Sequence, residues 1–597
     1  MSTLDTTETV AFKMALLDSQ DASSRLLGVA AVTIAVALFA LYQYLLPKPI
    51  AGIPYSPSAV KSIFGDIPTM LKESNGNTLR WIVGQGKRWN SPIFQVFIVP
   101  FAKPSVVVSD FREAQDILMR RKEFDRSDWT IDLLGGEISQ FHINLKTGAE
   151  WKVHRRLLQD LMTPAFLNAV AAPNIYTSAT NLVDLWSAKA RLARGRAFPA
   201  EQDFYHAALD AVLDFGFGDS YPHRALTPQI ELLTAQETKL AQKTIQAEED
   251  TMEFPIAQSH ESIKAILAAG DLIQGIAESG FVKVAWWWKK LQPREKKFID
   301  QRAQFVKEQT YYAIEKLQKD NDEDSESWVK CAVDLIIQRE RKFAKKEGRE
   351  PVYWSSVMKD ELLGFIMAGH DTTSTTLSWG VKLLADFQQA QTRLREDLRA
   401  THASALTEHR APSHSEISTA RIPYLDAVIE EILRLSHTAP VMDRQCTQDT
   451  VILGHHIPAG TIVLMPNFGP SYTSPAFEID EAARSETSKQ AVKERGVRFW
   501  PADDIGVFRP ERWLTTDEKT GVESYDATLG PAIPFGLGTR GCFGRKLAYL
   551  ELKLIVTLII WNFELLPCAE EISTYEPIEG ITSRPKHCYV RLRNVAF

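Results

Sequence analysis

A chain of 597 residues with 45% apolar and 24% charged residues is globular, and a net charge of −7 without a basic run excludes a nucleic-acid-binding protein. Its five cysteines (Cys331, Cys446, Cys542, Cys568, Cys588) are odd in number, widely spaced and without a C-x-x-C pair. That pattern points to a reducing compartment and excludes a disulfide framework and a zinc site.

In chain order, residues 1–25 form an N-terminal tail carrying Asp5, Glu8, Asp18 and Asp21. Leu26 to Leu46 then runs 21 residues without a charge, which at about 1.5 Å per residue matches the roughly 30 Å hydrocarbon core of a bilayer. A transmembrane anchor over 26–46 is expected; the alternative, a buried core helix, rarely goes that far without a polar face. The acids and the long lead exclude a cleavable signal peptide and a transit peptide. Residues 47–59, with Pro47, Pro49, Pro54 and Pro57, read as a stiff hinge. Lys48 and Lys61 against an acidic N-terminus place the following domain in the cytosol. The lack of any N-x-[ST] sequon agrees with that side.

From 60 to 597 no repeat, low-complexity tract or Pro/Gly linker interrupts the chain, so one large domain is the simpler reading. Ile93–Ile98 and Ser105–Val108 read as strands, the second closed by Asp110 as a helix N-cap. Trp151 and Arg155 share one face of a predicted helix at i, i+4 and offer an indole N–H and a guanidinium to a carboxylate; an ordinary solvated arginine is the alternative for Arg155. Period-3.6 patterns dominate from about 150 to 440. Trp286-Trp287-Trp288 before Lys289-Lys290 reads either as an interfacial aromatic patch or as a helix end packing its rings inward. Lys319–Ser327 and Glu481–Arg498 read as solvated insertions or loops. In Leu362–Leu384, Ala368-Gly369-His370-Asp371-Thr372-Thr373 puts small residues, an acid and hydroxyls inside a long apolar helix. A threonine there bonds the carbonyl four residues back, and the glycine forgoes up to about 1 kcal/mol of helix propensity. A groove beside a cofactor accounts for that sacrifice; the alternative is a new helix capped by Asp371 and Thr372. Glu431 and Arg434 are an E-x-x-R pair on one helix face, alone no more than a surface ion pair. Val451–Leu464 reads as a hairpin turning at glycine, and Phe508-Arg509-Pro510-Glu511-Arg512-Trp513 follows downstream.

Phe535-Gly536-Leu537-Gly538-Thr539-Arg540-Gly541-Cys542-Phe543-Gly544 is a glycine-rich loop that presents one cysteine. Glycines allow positive φ and close backbone approach, so N–H groups can turn inward and hold an ionised sulfur as a metal ligand.

With the A-G-x-D-T-T, E-x-x-R and P-E-R motifs, the pattern F-x-x-G-x-R-x-C-x-G resembles the cytochrome P450 family of heme-thiolate monooxygenases over nearly the whole chain. The resemblance implies a mainly α fold, the cytochrome P450 fold with small β-sheets, plus one N-terminal transmembrane helix. It implies heme b (iron protoporphyrin IX) with Cys542 as the axial iron ligand, Phe535 beside the sulfur, and Trp151, Arg155, Arg444 and Arg540 on the propionates. Thr372 would orient proton-donating water and Asp371 relay protons, while Glu431, Arg434 and Arg512 form a structural network. The resemblance further implies electrons from NADPH through a separate reductase, with cytochrome b5 as a second donor, and a lipophilic substrate. It places the chain in the endoplasmic reticulum membrane, single-pass. Lys152, Arg156, Arg545 and Lys546 are basic residues suited to an acidic partner, although a merely solvated face is the alternative for each. Pocket residues are expected from the 124–145 loop, Phe365 and Ala368, Thr438–Met442 and Gly580–Thr582. Ser583-Arg584-Pro585 is similar to fungal microsomal members, many of which tailor secondary metabolites. A heme-thiolate isomerase or peroxide-processing enzyme, and a fatty-acid or xenobiotic hydroxylase, are the alternatives.

Overall fold

The computed structural model describes residues 27, 29–218, 221–246, 250–319 and 327–596. The 1–25 tail, Leu26 and nearly all of the 319–327 segment lie outside the described residues. In chain order the elements used below are β1 (Ile93–Val96), β2 (Ser105–Val108), α1 (Phe111–Met119), β3 (Phe124–Asp125), α2 (Ala149–Leu158), α3 (Ala172–Ala193) and α4 (Glu201–Phe217). Then come α5 (Glu261–Glu278), α6 (Val282–Leu291), α7 (Pro293–Lys319), α8 (Ser356–Asp386), α9 (Pro423–Ser436), β4 (Val441–Cys446), β5 (Thr450–Ile452), β6 (His455–Ile457) and β7 (Ile462–Pro466). The chain closes with α10 (Glu486–Arg495), α11 (Arg545–Asn562), β8 (Phe563–Leu566), β9 (Pro577–Glu579), β10 (Ser583–Pro585) and β11 (Tyr589–Asn594).

The largest sheet has the order β1-β2-β7-β4-β3, antiparallel except for β2 against β7. The predicted first strands form its β1–β2 hairpin, with Ile93 opposite Val108, and Asp110 caps α1 by accepting from the Glu113 N–H. β5 and β6 form the glycine-turned hairpin, and β8, β11 and Phe198–Pro199 make a second small sheet.

Helix α8 runs unbroken for 31 residues, capped by Ser355, through the middle of the helical body, where it packs on α4, α9 and α11. No new helix begins at Asp371, because apolar residues on both flanks are buried against those neighbours and hold the axis continuous. The E-x-x-R pair is no surface bridge: Glu431 and Arg434 are both buried. The Glu431 carboxylate accepts from Arg434 Nη2 (2.7 Å) and Nε (2.8 Å), Arg512 Nε (2.9 Å), Trp513 Nε1 (2.9 Å) and the Arg509 N–H (3.0 Å). A charge sealed from water is tolerated only with this degree of satisfaction.

Leu27 and residues 29–45 are helical, and the helix exposes its apolar side chains, Leu38 and Phe39 among them. Among the described residues no helix is long and apolar enough to cross a membrane, so the transmembrane helix expected over 26–46 is not found there, and the described part of that stretch is this shorter exposed helix. The 47–59 stretch is docked on the sheet rather than free-standing. Gln95 of β1 clasps it, accepting from the Ile50 N–H (2.8 Å) and donating to the Ile50 (2.9 Å) and Ile53 (2.8 Å) carbonyls. Residues 481–498 are largely exposed, as expected of a solvated insertion, but they are not a loop: α10 lies against α1, and buried Arg484 pairs with Asp110 at 2.7 Å. The tryptophan run divides between the interior and the surface. Trp286 is buried, donating to the Leu133 carbonyl (2.9 Å) at a place where a side chain on Gly136 would strike its ring, while Trp287 and Trp288 are exposed.

Candidate active site

The loop before α11 folds back on itself, with the Cys542 N–H bonding the Phe535 carbonyl at 2.8 Å and the Gly541 N–H bonding that of Gly538 at 3.1 Å. Gly538 has φ +69°, and a Cβ there would run into the Leu118 carbonyl, so only glycine fits. The turn places Phe535 beside Cys542 and points the cysteine into a cavity of about 330 Å³. Among the five cysteines only Cys542 is exposed, and its exposure is toward that cavity. Desolvation pushes its thiol up, opposed by the backbone N–H groups of Gly544 and Arg545 and by the Arg155 and Arg545 guanidinium groups. These opposing groups favour the thiolate over the thiol.

One rim of the cavity is strongly cationic. Helix α2 carries Trp151 and Arg155 on one face as expected, with the Arg155 guanidinium 5.6 Å from the Trp151 ring and 4.4 Å from that of Phe543. Arg540 covers Trp151 at 5.1 Å and donates to the Ile143 carbonyl at 3.2 Å. Arg444 comes from β4, and Arg126 from the segment after β3. Burial and repulsion depress two of these arginines: Arg540 falls to about 9, by desolvation and then by Arg126, and Arg444 to about 10, by desolvation and then by Arg126. Arg540 Nη1 and Arg126 Nε are buried without a partner among the described residues. Four crowded cations with unspent donors fit a dianionic edge such as the two carboxylates of heme, and Cys542 fits its iron.

Helix α8 forms the opposite wall with Phe365, Ala368, Gly369, Thr372 and Thr373. The Thr372 hydroxyl donates to the Ala368 carbonyl at 2.9 Å, which leaves its oxygen lone pairs toward the cavity. Gly369 admits α4, since a Cβ there would lie 2.7 Å from Val212 Cγ2. Asp371 does not line the cavity: Tyr205 (2.8 Å) and Thr582 (2.9 Å) donate one hydroxyl to each of its oxygens. Glu551 of α11 does reach it, accepting from Thr373 at 3.0 Å with Oε1 unpartnered, and burial pushes its carboxyl up to about 8.

Of the expected site residues, Trp151, Arg155, Arg444, Phe535, Arg540, Cys542 and Thr372 are thus gathered on one cavity, and Asp371 sits one residue behind its wall. The expected pocket segments contribute Phe141, Ile143, Phe365, Ala368, Thr438, Ala439 and Met442. The Gly580–Thr582 turn reaches Asp371 instead of the cavity. The sequence reading missed Glu551 and the tethers on Asp371, while His142 and Arg126 fall within the expected 124–145 loop. A single carboxylate inside the apolar run from Leu547 to Trp561 was the available signal for Glu551.

The family model described as Cytochrome P450 matches residues 82–473 and 500–592. The chain is similar to the cytochrome P450 monooxygenase TRI13 of Fusarium sporotrichioides, 42% identical over 576 residues that cover 94% of this chain and 98% of that one. It is 38% identical to the cytochrome P450 monooxygenase GME11363 of Pestalotiopsis microspora over 582 residues, covering 96% and 98%. A crystal structure of a cytochrome P450, CYP102L1, superposes with a TM-score of 0.64 at 18% identity, over 92% of this chain and 99% of that one. That last likeness concerns the fold alone.

Proposed function

The chain belongs to the cytochrome P450 family and is an oxygen-incorporating oxidoreductase of the monooxygenase kind, and on that premise we propose that it oxidises a lipophilic small molecule in secondary metabolism with electrons from NADPH. The observation that carries this is Cys542, on its glycine turn, facing Thr372 across a cavity rimmed by Arg126, Arg155, Arg444 and Arg540. Heme, when bound, supplies the thiolate-ligated iron at which dioxygen is cleaved. Cys542 would ligate that iron, with the N–H groups of Gly544 and Arg545 opposing the desolvation that raises its thiol. Trp151, Arg155, Arg444 and Arg540 would hold the carboxylates, together with Arg126.

Thr372 would orient water by accepting at Oγ1, since its own proton is given to Ala368. Asp371 would hand protons inward once a tether from Tyr205 or Thr582 loosens. The walls at Phe141, Phe365, Ala439 and Met442 are apolar and suit a lipophilic substrate. Exposed Lys152, Arg156, Arg545 and Lys546 would meet an NADPH-dependent reductase, and cytochrome b5, through complementary charge. The uncharged 26–46 stretch, and Trp287 and Trp288 with Lys289 and Lys290, support attachment to the endoplasmic reticulum membrane with the 60–597 domain in the cytosol.

The test incubates microsomes holding the protein, a reductase and NADPH with a lipid-soluble metabolite extract under isotopically heavy dioxygen, followed by mass spectrometry. A product with one heavy oxygen atom, absent with Cys542→Ser, is expected. A new product that forms without dioxygen and NADPH would overturn the monooxygenase reading in favour of an isomerase.

A further inference from the structure

Behind the cationic rim lies a cluster that the reading above does not use. Glu361 of α8 is fully buried and sits between two histidines. His142 Nδ1 lies 2.7 Å from Oε2, His154 Nδ1 lies 3.0 Å from Oε1, and the His142 N–H donates to Oε1 at 2.8 Å. Burial works to raise the Glu361 carboxyl, but the two imidazoles outweigh it and hold it below its ordinary range. A carboxylate only accepts, so each Nδ1 carries a proton and donates. One buried charge thereby ties together three pieces of the site: the 142–144 turn, helix α2 one residue before Arg155, and the helix that bears Thr372.

The tie also fixes which way His142 looks. With Nδ1 spent on Glu361, Nε2 is left, and among the described residues it has no partner, while the ring lines the cavity. His142 and Arg155 flank the same ring: the imidazole lies 5.6 Å from the Phe543 centroid and the guanidinium 4.4 Å. The next residue, Ile143, receives the Arg540 guanidinium on its carbonyl. His142 therefore stands at the edge where Arg155 and Arg540 converge.

Resting on the heme reading, we propose that His142 is a further cofactor-binding residue: its Nε2 hydrogen-bonds a heme carboxylate beside Arg155, with Glu361 and His154 as the positioning residues that aim it. With Nδ1 donating to Glu361, a bond from Nε2 to a second carboxylate is made with Nε2 as donor too, so that the ring bridges two acceptors. The arrangement is the carboxylate–histidine pairing by which outer partners orient a ligand-facing imidazole.

The test uses the full-length holoenzyme and reads heme loss to excess apomyoglobin from the Soret band, without reference to activity. Wild type, His142→Leu, His142→Gln and Glu361→Gln are each reconstituted with heme and with heme dimethyl ester, whose carboxylates are masked. His142→Leu is expected to lose heme about tenfold faster than wild type, with the difference collapsing for the dimethyl ester. His142→Gln, which keeps a donor, falls between the two, as does Glu361→Gln, which leaves the imidazole unaimed. Equal loss rates for wild type and His142→Leu would overturn the proposal, as would an acceleration of the same size with both hemes, which marks simple packing. Should Glu361→Gln fail to fold, the His142 pair decides alone. A wild-type protein that takes up no heme would sink the heme reading itself, which is a different result from heme bound and retained without His142.

Discussion

Replacing Glu551 by glutamine is expected to stabilise the protein, and to do so increasingly as the pH rises. The carboxyl is buried against α8 with one hydrogen bond, from Thr373, and burial raises it from its ordinary 4.5 to about 8. Below about pH 4.5 it is protonated both folded and unfolded and contributes no pH dependence. Between about 4.5 and 8 the unfolded chain has released the proton while the folded chain still holds it, so stability falls as pH rises; above 8 the loss is complete. At about 1.4 kcal/mol per pH unit the whole span amounts to about 5 kcal/mol. Glutamine has nothing to titrate, and every other group is common to both proteins, so their difference isolates this carboxyl. From pH 6 to pH 8 the variant should gain about 3 kcal/mol on wild type. With 597 residues at about 2.1 cal/mol/K each, the unfolding entropy is about 1.3 kcal/mol/K, and the gain appears as roughly 2 °C in Tm. Thermal unfolding of both holoenzymes across pH 6 to 8.5 checks this. A gap that stays constant with pH, or narrows, would refute the claim that burial keeps Glu551 protonated.

Glu431→Gln sets an amide N–H against the donors of Arg434, Arg512 and Trp513, and is expected to cost about 3–5 kcal/mol; the readouts are denaturant midpoint and the ratio of heme to protein. Gly369→Ala gains up to about 1 kcal/mol of helix propensity but pushes against stiff Val212, an overlap worth about 1–3 kcal/mol. The net result should be a loss that Val212→Ala in the same chain largely restores, measured as a double-mutant cycle in urea. Tyr205→Phe and Thr582→Val each remove a donor from the Asp371 carboxylate, at about 1–3 kcal/mol apiece. Because both act on one group, their effects should fail to add, and strict additivity would count against the tether.

Helix α8 was readable as a through-going element because Leu362 to Leu384 keeps its apolar spacing across Gly369 and Asp371. The β1–β2 hairpin and the Asp110 cap were readable for a similar reason, since period and cap chemistry are properties of neighbours in the chain. The charges of segment 481–498 reveal its solvation but not its helix or its anchor. Its docking depends on Arg484 meeting Asp110, 374 residues away. Asp371 shows the same limit: Tyr205 and Thr582, which hold it, lie 166 and 211 residues distant.

By itself, then, the sequence determined the family and the mainly helical class and singled out Cys542 as the candidate thiolate, because a glycine turn around Cys542 and a polar break in an apolar helix are chemical costs visible within ten residues. Only the tertiary structure decided which groups share the cavity and how each is charged. Glu551 is kept neutral and Glu361 ionised, although both are buried glutamates on long helices. The difference is that Glu361 meets two imidazoles from another part of the chain and Glu551 meets one hydroxyl. Ionisation is set by the desolvation and the partners that folding brings together, and neither is written in the local run of residues.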